Sequence, residues 1–327
     1  MNNAIFVDAG TTNTRVWLMH GEEIRAHAST MVGVRDSARD GSTTRLQAAL
    51  RDLLLEVQAQ ESASCVVAAG MITSALGLAE VPHLPAPAGL PELAAATQTW
   101  QFPAVTPLPV LLVPGVRSGA AECDFNSVAN VDVMRGEETL CAGLMELGLA
   151  EPPCTVLNLG SHWKAIQLDA ARRIAASVTS LTGELIYTTQ TQTILASAVP
   201  HERPATIAPE WAAAGMREQR QSGLARALFC VRLLEQKGHC TPNERLAYLI
   251  GAYIAEDFDG LQKHGLLPAG QSVLLTSGGV IAETWAQLLT ENAMQARIVR
   301  QEESEQAVLT GLRAVLQQCA PRLLSAS

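Results

Sequence analysis

The chain predicts a two-lobed α/β protein, each lobe a mixed sheet flanked by helices with a cleft between them. Three observations carry this. Residues 5–18, IFVDAGTTNTRVWL, read as strand, small polar turn and strand. Residues 154–169, CTVLNLGSHWKAIQLD, repeat that layout in the second half. The 327 residues, 48% hydrophobic and 17% charged, exceed one ordinary domain and supply cores for two. The expected division is 1–152 for the N-terminal lobe and 153–327 for the C-terminal lobe, with the last helix returning across the hinge.

In the first strand Ile5 and Val7 share a face, and Val16 and Leu18 begin the second. A hairpin turn with Gly10 at positive φ would explain the glycine. It would not explain Asp8, a carboxylate ending an apolar strand. A third strand is expected near 24–29 and a helix over 42–61, where apolar residues recur at helical spacing after N-cap candidates. CVVAAGM (65–71) reads as a buried strand ending in glycine, EVPHLPAPAGLPE (80–92) as extended loop, and PVLLVPG (109–115) as another buried strand. MRGEETLCAGLMELGL (134–149) predicts a helix opened by Glu137 and Glu138, where carboxylates suit the positive end of the dipole. Helical sequence dominates 182–264, with breaks near 200–209 and 238–242. SVLLTSGGVIAETWAQLL (272–289) is strand, double-glycine turn and amphipathic helix. A short strand near 297–299 and a helix over 303–318 close the chain.

The formal charge of −9 argues against nucleic acid as a partner. Seven cysteines, odd in number and without a CxxC pair, fit reduced, mostly buried thiols rather than a disulfide framework or zinc site. Asp8 cuts short the first apolar run, no basic segment precedes it, and no stretch is long enough to span a bilayer. A soluble cytoplasmic protein is expected. Neither GxxxxGK[ST] nor a GxGxxG between strand and helix occurs, which speaks against a P-loop ATPase or a dinucleotide fold.

Three glycine turns each follow an apolar strand: Gly10 with Thr11 and Thr12, Gly160 with Ser161, and Gly278 with Gly279. Glycine lets a bulky anion approach the backbone, and the turn N–H groups and hydroxyls then donate to phosphate oxygens. Here the chain resembles a known superfamily. VDAGTTNTRVWL is similar to the first phosphate motif of the actin, hexokinase and Hsp70 group, LNLGSHWKAIQL to its second, and LLTSGG to its adenosine motif. VMRGEET (133–139), GSHWK (160–164) and LTGEL (181–185) more narrowly resemble the 2-dehydro-3-deoxygalactonokinases, and the order is kept over essentially the whole chain. That family carries tryptophan and leucine where Ala9 and Thr14 stand. It carries a valine-glycine-serine turn and a tryptophan where Ile72, Thr73, Ser74 and Leu78 stand.

The resemblance implies two ribonuclease H-like lobes closing over ATP·Mg²⁺ and a sugar acid, excluding water while the 6-hydroxyl of 2-dehydro-3-deoxy-D-galactonate is phosphorylated. Asp8 would hold Mg²⁺ through water, its alternative being to accept N–H groups of its own turn. Thr11, Thr12 and Asn13 would meet the β- and γ-phosphates with Gly10, Gly160 and Ser161. Ser277 would meet the α-phosphate, and Gly278 and Gly279 the adenosine. Glu137 or Glu138 would accept the hydroxyl proton, with Glu137 favoured. Arg15 would reach a phosphate or the sugar carboxylate, or pair with a surface acid. Met71, Ser74, Arg135, His162, Lys164, Thr182 and Glu184 would line the sugar. Lys164 has a solvated strand lysine as its plainer reading, and Thr182 an N-cap. The expected partners are ATP and a small sugar acid, without nucleic acid or membrane, and a homodimer is compatible with the chain. A kinase for another sugar, an exopolyphosphatase-like phosphatase and an ATP-gated regulatory module would share the glycine turns.

Overall fold

A computed structural model describes residues 3–59, 61–202, 204–238 and 240–325. The chain forms two compact units, one of Met1–Ala150, Ala171–Ala175 and Glu302–Ser327, the other of Glu151–Ala170 and Ala176–Gln301. Residues 171–175 thus return to the first unit, as does the last helix.

The first unit opens with β1 (Ala4–Ala9), β2 (Thr14–His20) and β3 (Glu23–Thr30), an antiparallel meander. Then come α1 (Val34–Asp40), α2 (Thr44–Val57) and β4 (Val66–Gly70), which pairs parallel to β1. After β5 (Leu84–Pro85), α3 (Leu90–Ala96) and β6 (Gln98–Phe102), β7 (Thr106–Leu112) pairs parallel to β4. The sheet order is β3-β2-β1-β4-β7-β6. β8 (Val116–Ser118) and β9 (Asp132–Met134) join β5 in a small second sheet, and α4 (Glu137–Glu146) follows at once. The apolar face predicted for α2 packs Leu46, Leu50, Leu54 and Val57 against Ile5, Val7, Val16 and Leu18.

The second unit repeats the plan. β10 (Cys154–Leu159) and β11 (Trp163–Leu168) are antiparallel, and β12 (Ile174–Ser180) lies beyond β11. The helices α5 (Thr182–Gln192), α6 (Pro209–Ser222), α7 (Leu224–Lys237) and α8 (Pro242–Lys263) precede β13 (Ser272–Thr276), which pairs parallel to β10. α9 (Val280–Glu291) leads to β14 (Gln295–Ile298), parallel to β13. The order β12-β11-β10-β13-β14 matches β3-β2-β1-β4-β7 strand for strand. Trp163, Trp285 and Phe258 meet in its core, with Trp163 and Trp285 edge-on at 5.8 Å between ring centroids.

The last helix, α10 (Gln301–Ser325), packs in the first unit. Two glycines let its backbone touch α4. A Cβ on Gly143 would stand 1.7 Å from the Ala307 carbonyl oxygen, and one on Gly311 2.0 Å from that of Thr139. Trp17 Nε1 also donates to Glu305 at 3.0 Å. Residues 171–175 are held there because Ile174 and Ala88 exchange two backbone hydrogen bonds, at 2.8 and 3.0 Å.

Some elements depart from expectation. The helix predicted over 134–149 starts only at Glu137, because Met134 ends β9 and Gly136 turns at φ 110°. The proline-rich 80–92 stretch is not all loop, since Leu84 and Pro85 pair with Val116 and Arg117. β6 and β12 were not expected. β6 is an edge strand with little burial, and in β12 (IAASVTS) Ile174 and Val178 stand four apart among small residues, so little alternation shows.

Candidate functional site

In the first unit Asp8 stands near the end of β1, where the chain turns through residues 10–13. The Gly10 N–H donates to the Asn13 carbonyl at 2.9 Å. Gly10 does not adopt positive φ, so the hairpin explanation of this glycine fails. The tight spot lies behind the turn. A Cβ on Gly33, the residue before α1, would come within 2.5 Å of the Thr11 carbonyl oxygen and 2.7 Å of that of Gly10. Arg35 N–H donates to the same Thr11 carbonyl at 2.9 Å. The turn is thereby pressed onto the start of α1 through its carbonyls.

Asp8 accepts a hydrogen bond from Arg15 Nη2 at 2.5 Å, across the β1–β2 register that sets these residues opposite each other. Arg15 thus pairs with the strand-end acid rather than a surface acid. Its guanidinium also lies 5.5 Å from the centre of the Trp17 ring.

The start of α4 reaches the same place. Gly70, at φ 87°, ends β4, and a Cβ there would stand 2.5 Å from the Ala9 carbonyl oxygen and 3.3 Å from Asp8 Oδ1. A Cβ on Gly136 would lie 3.4 Å from Gly70 Cα. Two glycines therefore bring the acidic helix start against the strand end beside Asp8. The two acids there differ. Glu138 is 1% exposed, and both its oxygens accept the Gly136 N–H, at 2.8 and 2.9 Å. Burial first, and the charge of Glu137 second, push its carboxyl up to about 8. Glu137 is half-buried. Glu138 is thus committed to the helix start.

Arg135, expected on the sugar, is engaged elsewhere. Nη1 donates to Thr73 Oγ1 at 2.9 Å and Nη2 to the Val81 carbonyl at 2.8 Å, so it holds the 71–83 loop. Ser74 Oγ donates to the Met71 carbonyl at 2.7 Å, closing the short turn that Met71 begins. Two residues that depart from the family pattern also find partners. Thr14 Oγ1 donates to the Val32 carbonyl at 2.8 Å, and Thr73 Oγ1 to that of Gly70 at 3.0 Å.

The second unit repeats the backed turn. A Cβ on Gly183, within α5, would lie 2.3 Å from the Gly160 carbonyl oxygen and 2.4 Å from that of Ser161. The Glu184 N–H donates to the Ser161 carbonyl at 2.9 Å. His162 Nε2 stands 3.4 Å from Glu184 Oε1, a pairing the sequence did not suggest. Lys164 is not a solvated strand lysine. It is 5% exposed, and its Nζ donates to Thr179 Oγ1 at 2.8 Å. His162 lies in the turn just before β11, the strand that carries Lys164. Thr182 is not the N-cap, which is Leu181; its hydroxyl donates to Asp257 Oδ1 at 2.8 Å.

At the third turn Ser277 takes φ 67° and Gly279 φ 50°. A Cβ on Gly278 would stand 2.6 Å from Leu159 Cδ1, so this turn adjoins the residue before Gly160. Gly33, Gly70, Gly136, Gly183 and Asp257 were not singled out from the sequence as site residues. A glycine directly before or just inside a helix was the available signal for Gly33, Gly136 and Gly183.

Asn158 stands opposite Lys164 as Asp8 stands opposite Arg15, so the second unit has an amide where the first has its acid. Among the described residues no three His, Cys, Asp or Glu side chains gather as a metal cage. One carboxylate beside a phosphate-type turn instead suits a cation such as Mg²⁺, which keeps its waters and shares the phosphates of a nucleotide.

The sequence profile of the 2-keto-3-deoxy-galactonokinase family matches residues 8–315. The 2-dehydro-3-deoxygalactonokinase of Escherichia coli (strain K12) is 28% identical over 279 residues, covering 82% of this chain and 86% of its own. A crystal structure from Sinorhizobium meliloti, provisionally assigned the same kinase activity, superposes with a TM-score of 0.75 at 25% identity, over 96% of this chain and 98% of that one. The fold extends to the activator of the 2-hydroxyisocaproyl-CoA dehydratase from Clostridium difficile, solved with bound ADPNP, at a TM-score of 0.53 and 12% identity. That match covers 98% of this chain and 97% of the activator. The two repeated units are therefore of the actin and hexokinase type.

Proposed function

The chain belongs to the 2-keto-3-deoxy-galactonokinase family, and from that premise we propose that it phosphorylates the 6-hydroxyl of 2-dehydro-3-deoxy-D-galactonate with ATP. In this reading the turn at residues 10–13 receives the β- and γ-phosphates, the turn at 160–162 completes the phosphate contacts, and residues 277–279 receive the nucleoside side. Asp8 holds Mg²⁺ through water, and Arg15 stands ready to leave its carboxylate for a phosphate or the sugar carboxylate. The bound cation would supply neutralisation of phosphate charge.

The protein's own part is positioning and proton acceptance. Glu137 orients the sugar hydroxyl and takes its proton as the hydroxyl oxygen bonds to the γ-phosphorus of ATP and the bond from that phosphorus to the bridging oxygen of ADP breaks. Glu138 keeps the helix start in place. The 71–83 loop, tied down by Arg135, lines the sugar with Met71 and Ser74, and the exposed pair His162 and Glu184 contributes from the second unit. The observation that carries this reading is the packing of Gly136 on Gly70, which delivers an acidic helix start to the strand end bearing Asp8.

A coupled ADP-release assay with Mg·ATP and a panel of sugar acids tests it. ADP release that depends on 2-dehydro-3-deoxygalactonate is expected. Release without any sugar would make the protein a phosphatase instead, and turnover confined to another sugar acid would contradict the substrate.

A further inference from the structure

We infer that Asp257, on α8, is a positioning residue for the second glycine turn, residues 160–162. The inference rests on the reading of that turn as a phosphate contact. Asp257 Oδ2 accepts a hydrogen bond from Ser180 Oγ at 2.7 Å, and Oδ1 accepts one from Thr182 Oγ1 at 2.8 Å. Those two residues flank Leu181, the N-cap of α5, whose own side chain makes no capping bond. The carboxylate that defines where α5 begins thus comes from a helix 75 residues further along the chain. It is largely buried, and burial raises its carboxyl above the ordinary range, as expected of an acid placed for its hydrogen bonds rather than for solvation.

The helix start has no slack against the turn. Gly183, next to Thr182, lies so close to the Gly160 and Ser161 carbonyls that a Cβ would stand 2.3 and 2.4 Å from them. The following residue, Glu184, binds the Ser161 carbonyl through its N–H and faces His162 through its carboxylate. A small movement of the α5 start is therefore passed to the turn without being absorbed by an intervening side chain. Removing the Asp257 carboxylate leaves the hydroxyls of Ser180 and Thr182, 2.9 Å apart, with only each other, and frees the α5 start from α8.

The fold supplies its own control. Thr189 and Tyr253 join the same two helices through their hydroxyls at 2.7 Å, further along α5 from the turn. Calorimetric titration of ATP onto the full chain, with KM for ATP and for the sugar acid and a thermal melt, compares Asp257→Ala, Asp257→Asn, Thr182→Val and Thr189→Val. Asp257→Ala is expected to weaken ATP by about tenfold and to raise the sugar KM as well, since Thr182 and Glu184 move with the α5 start. Asp257→Asn, which can bond both hydroxyls with one of them reversed, is expected to stay within about threefold. Thr189→Val is expected to lower Tm while leaving ATP affinity near wild type. If Asp257→Ala does not fold, Thr182→Val read against Thr189→Val decides, with weaker ATP binding in Thr182→Val alone expected. The inference is overturned if Thr189→Val weakens ATP as much at the same loss of Tm, or if a folded Asp257→Ala binds ATP as tightly as wild type. A wild-type chain that binds no ATP would contradict the phosphate reading of the turn, and the inference with it.

Discussion

Ser277 has the backbone angle of a glycine and a hydroxyl that the proposed reading sets beside the nucleotide. A left-handed φ costs an L-residue on the order of 1 kcal/mol, so Ser277→Gly should stabilise the protein by about 0.5–1 kcal/mol. Thermal melts should show a rise in Tm, while loss of the hydroxyl weakens ATP. Glu138 makes a second prediction. Its folded value of about 8 lies above the ordinary 4.5, so the folded state holds this proton more tightly than the unfolded chain does. The stability it contributes is fully present below about pH 4.5 and is lost as pH rises through about 8. Urea unfolding should therefore show a loss on the order of a few kcal/mol between pH 5 and 8.5, and Glu138→Gln should flatten that slope. Chemistry at this scale was only partly legible in the sequence. The strings RGEET and GSHWK marked the candidate places, but a side chain's partner depends on elements far along the chain. Nothing near Arg135 shows that it binds the Val81 carbonyl, and nothing near Lys164 shows that it will be buried against Thr179.

The first two glycine turns are each backed by the start of a helix, and the backing residue is itself glycine. Gly33 and Gly183 do this in the two units, with carbonyl oxygens 2.3–2.7 Å from where a Cβ would stand. Gly33→Ala and Gly183→Ala should each force the helix off its turn and reduce kcat/KM for ATP by at least about tenfold. Steady-state kinetics would check this, and a fall in one variant alone would limit the device to one unit. Elements with strong periodicity, such as β1, β2, β10, β11 and α2, were readable because their apolar residues repeat at strand or helix spacing. β6 and β12 were not, since edge exposure and small side chains erase the alternation. The backing glycines were hidden for another reason. A close backbone approach leaves no mark in a single sequence beyond the glycine itself.

Across the whole molecule the duplication is legible in layout and nearly absent in residues. Strand order and register repeat, yet the Asp8–Arg15 pair of the first unit becomes Asn158 opposite Lys164 in the second. The substitution breaks the charge symmetry and leaves a single strand-end carboxylate, on the unit that also carries Glu137. Of the two returns to the first unit, that of the last helix was expected and that of 171–175 was not. They rest on the Ala88–Ile174 pairing and on the glycine contact between α4 and α10. The central claim is that the chain is a sugar-acid kinase whose α4 start supplies the proton acceptor. Its most direct test is kcat of Glu137→Gln on 2-dehydro-3-deoxygalactonate, with ATP affinity measured on the same preparation. A fall in kcat of about 10²–10⁴ with ATP binding retained is the expected result. A kcat near wild type in a variant that still binds ATP would contradict the claim.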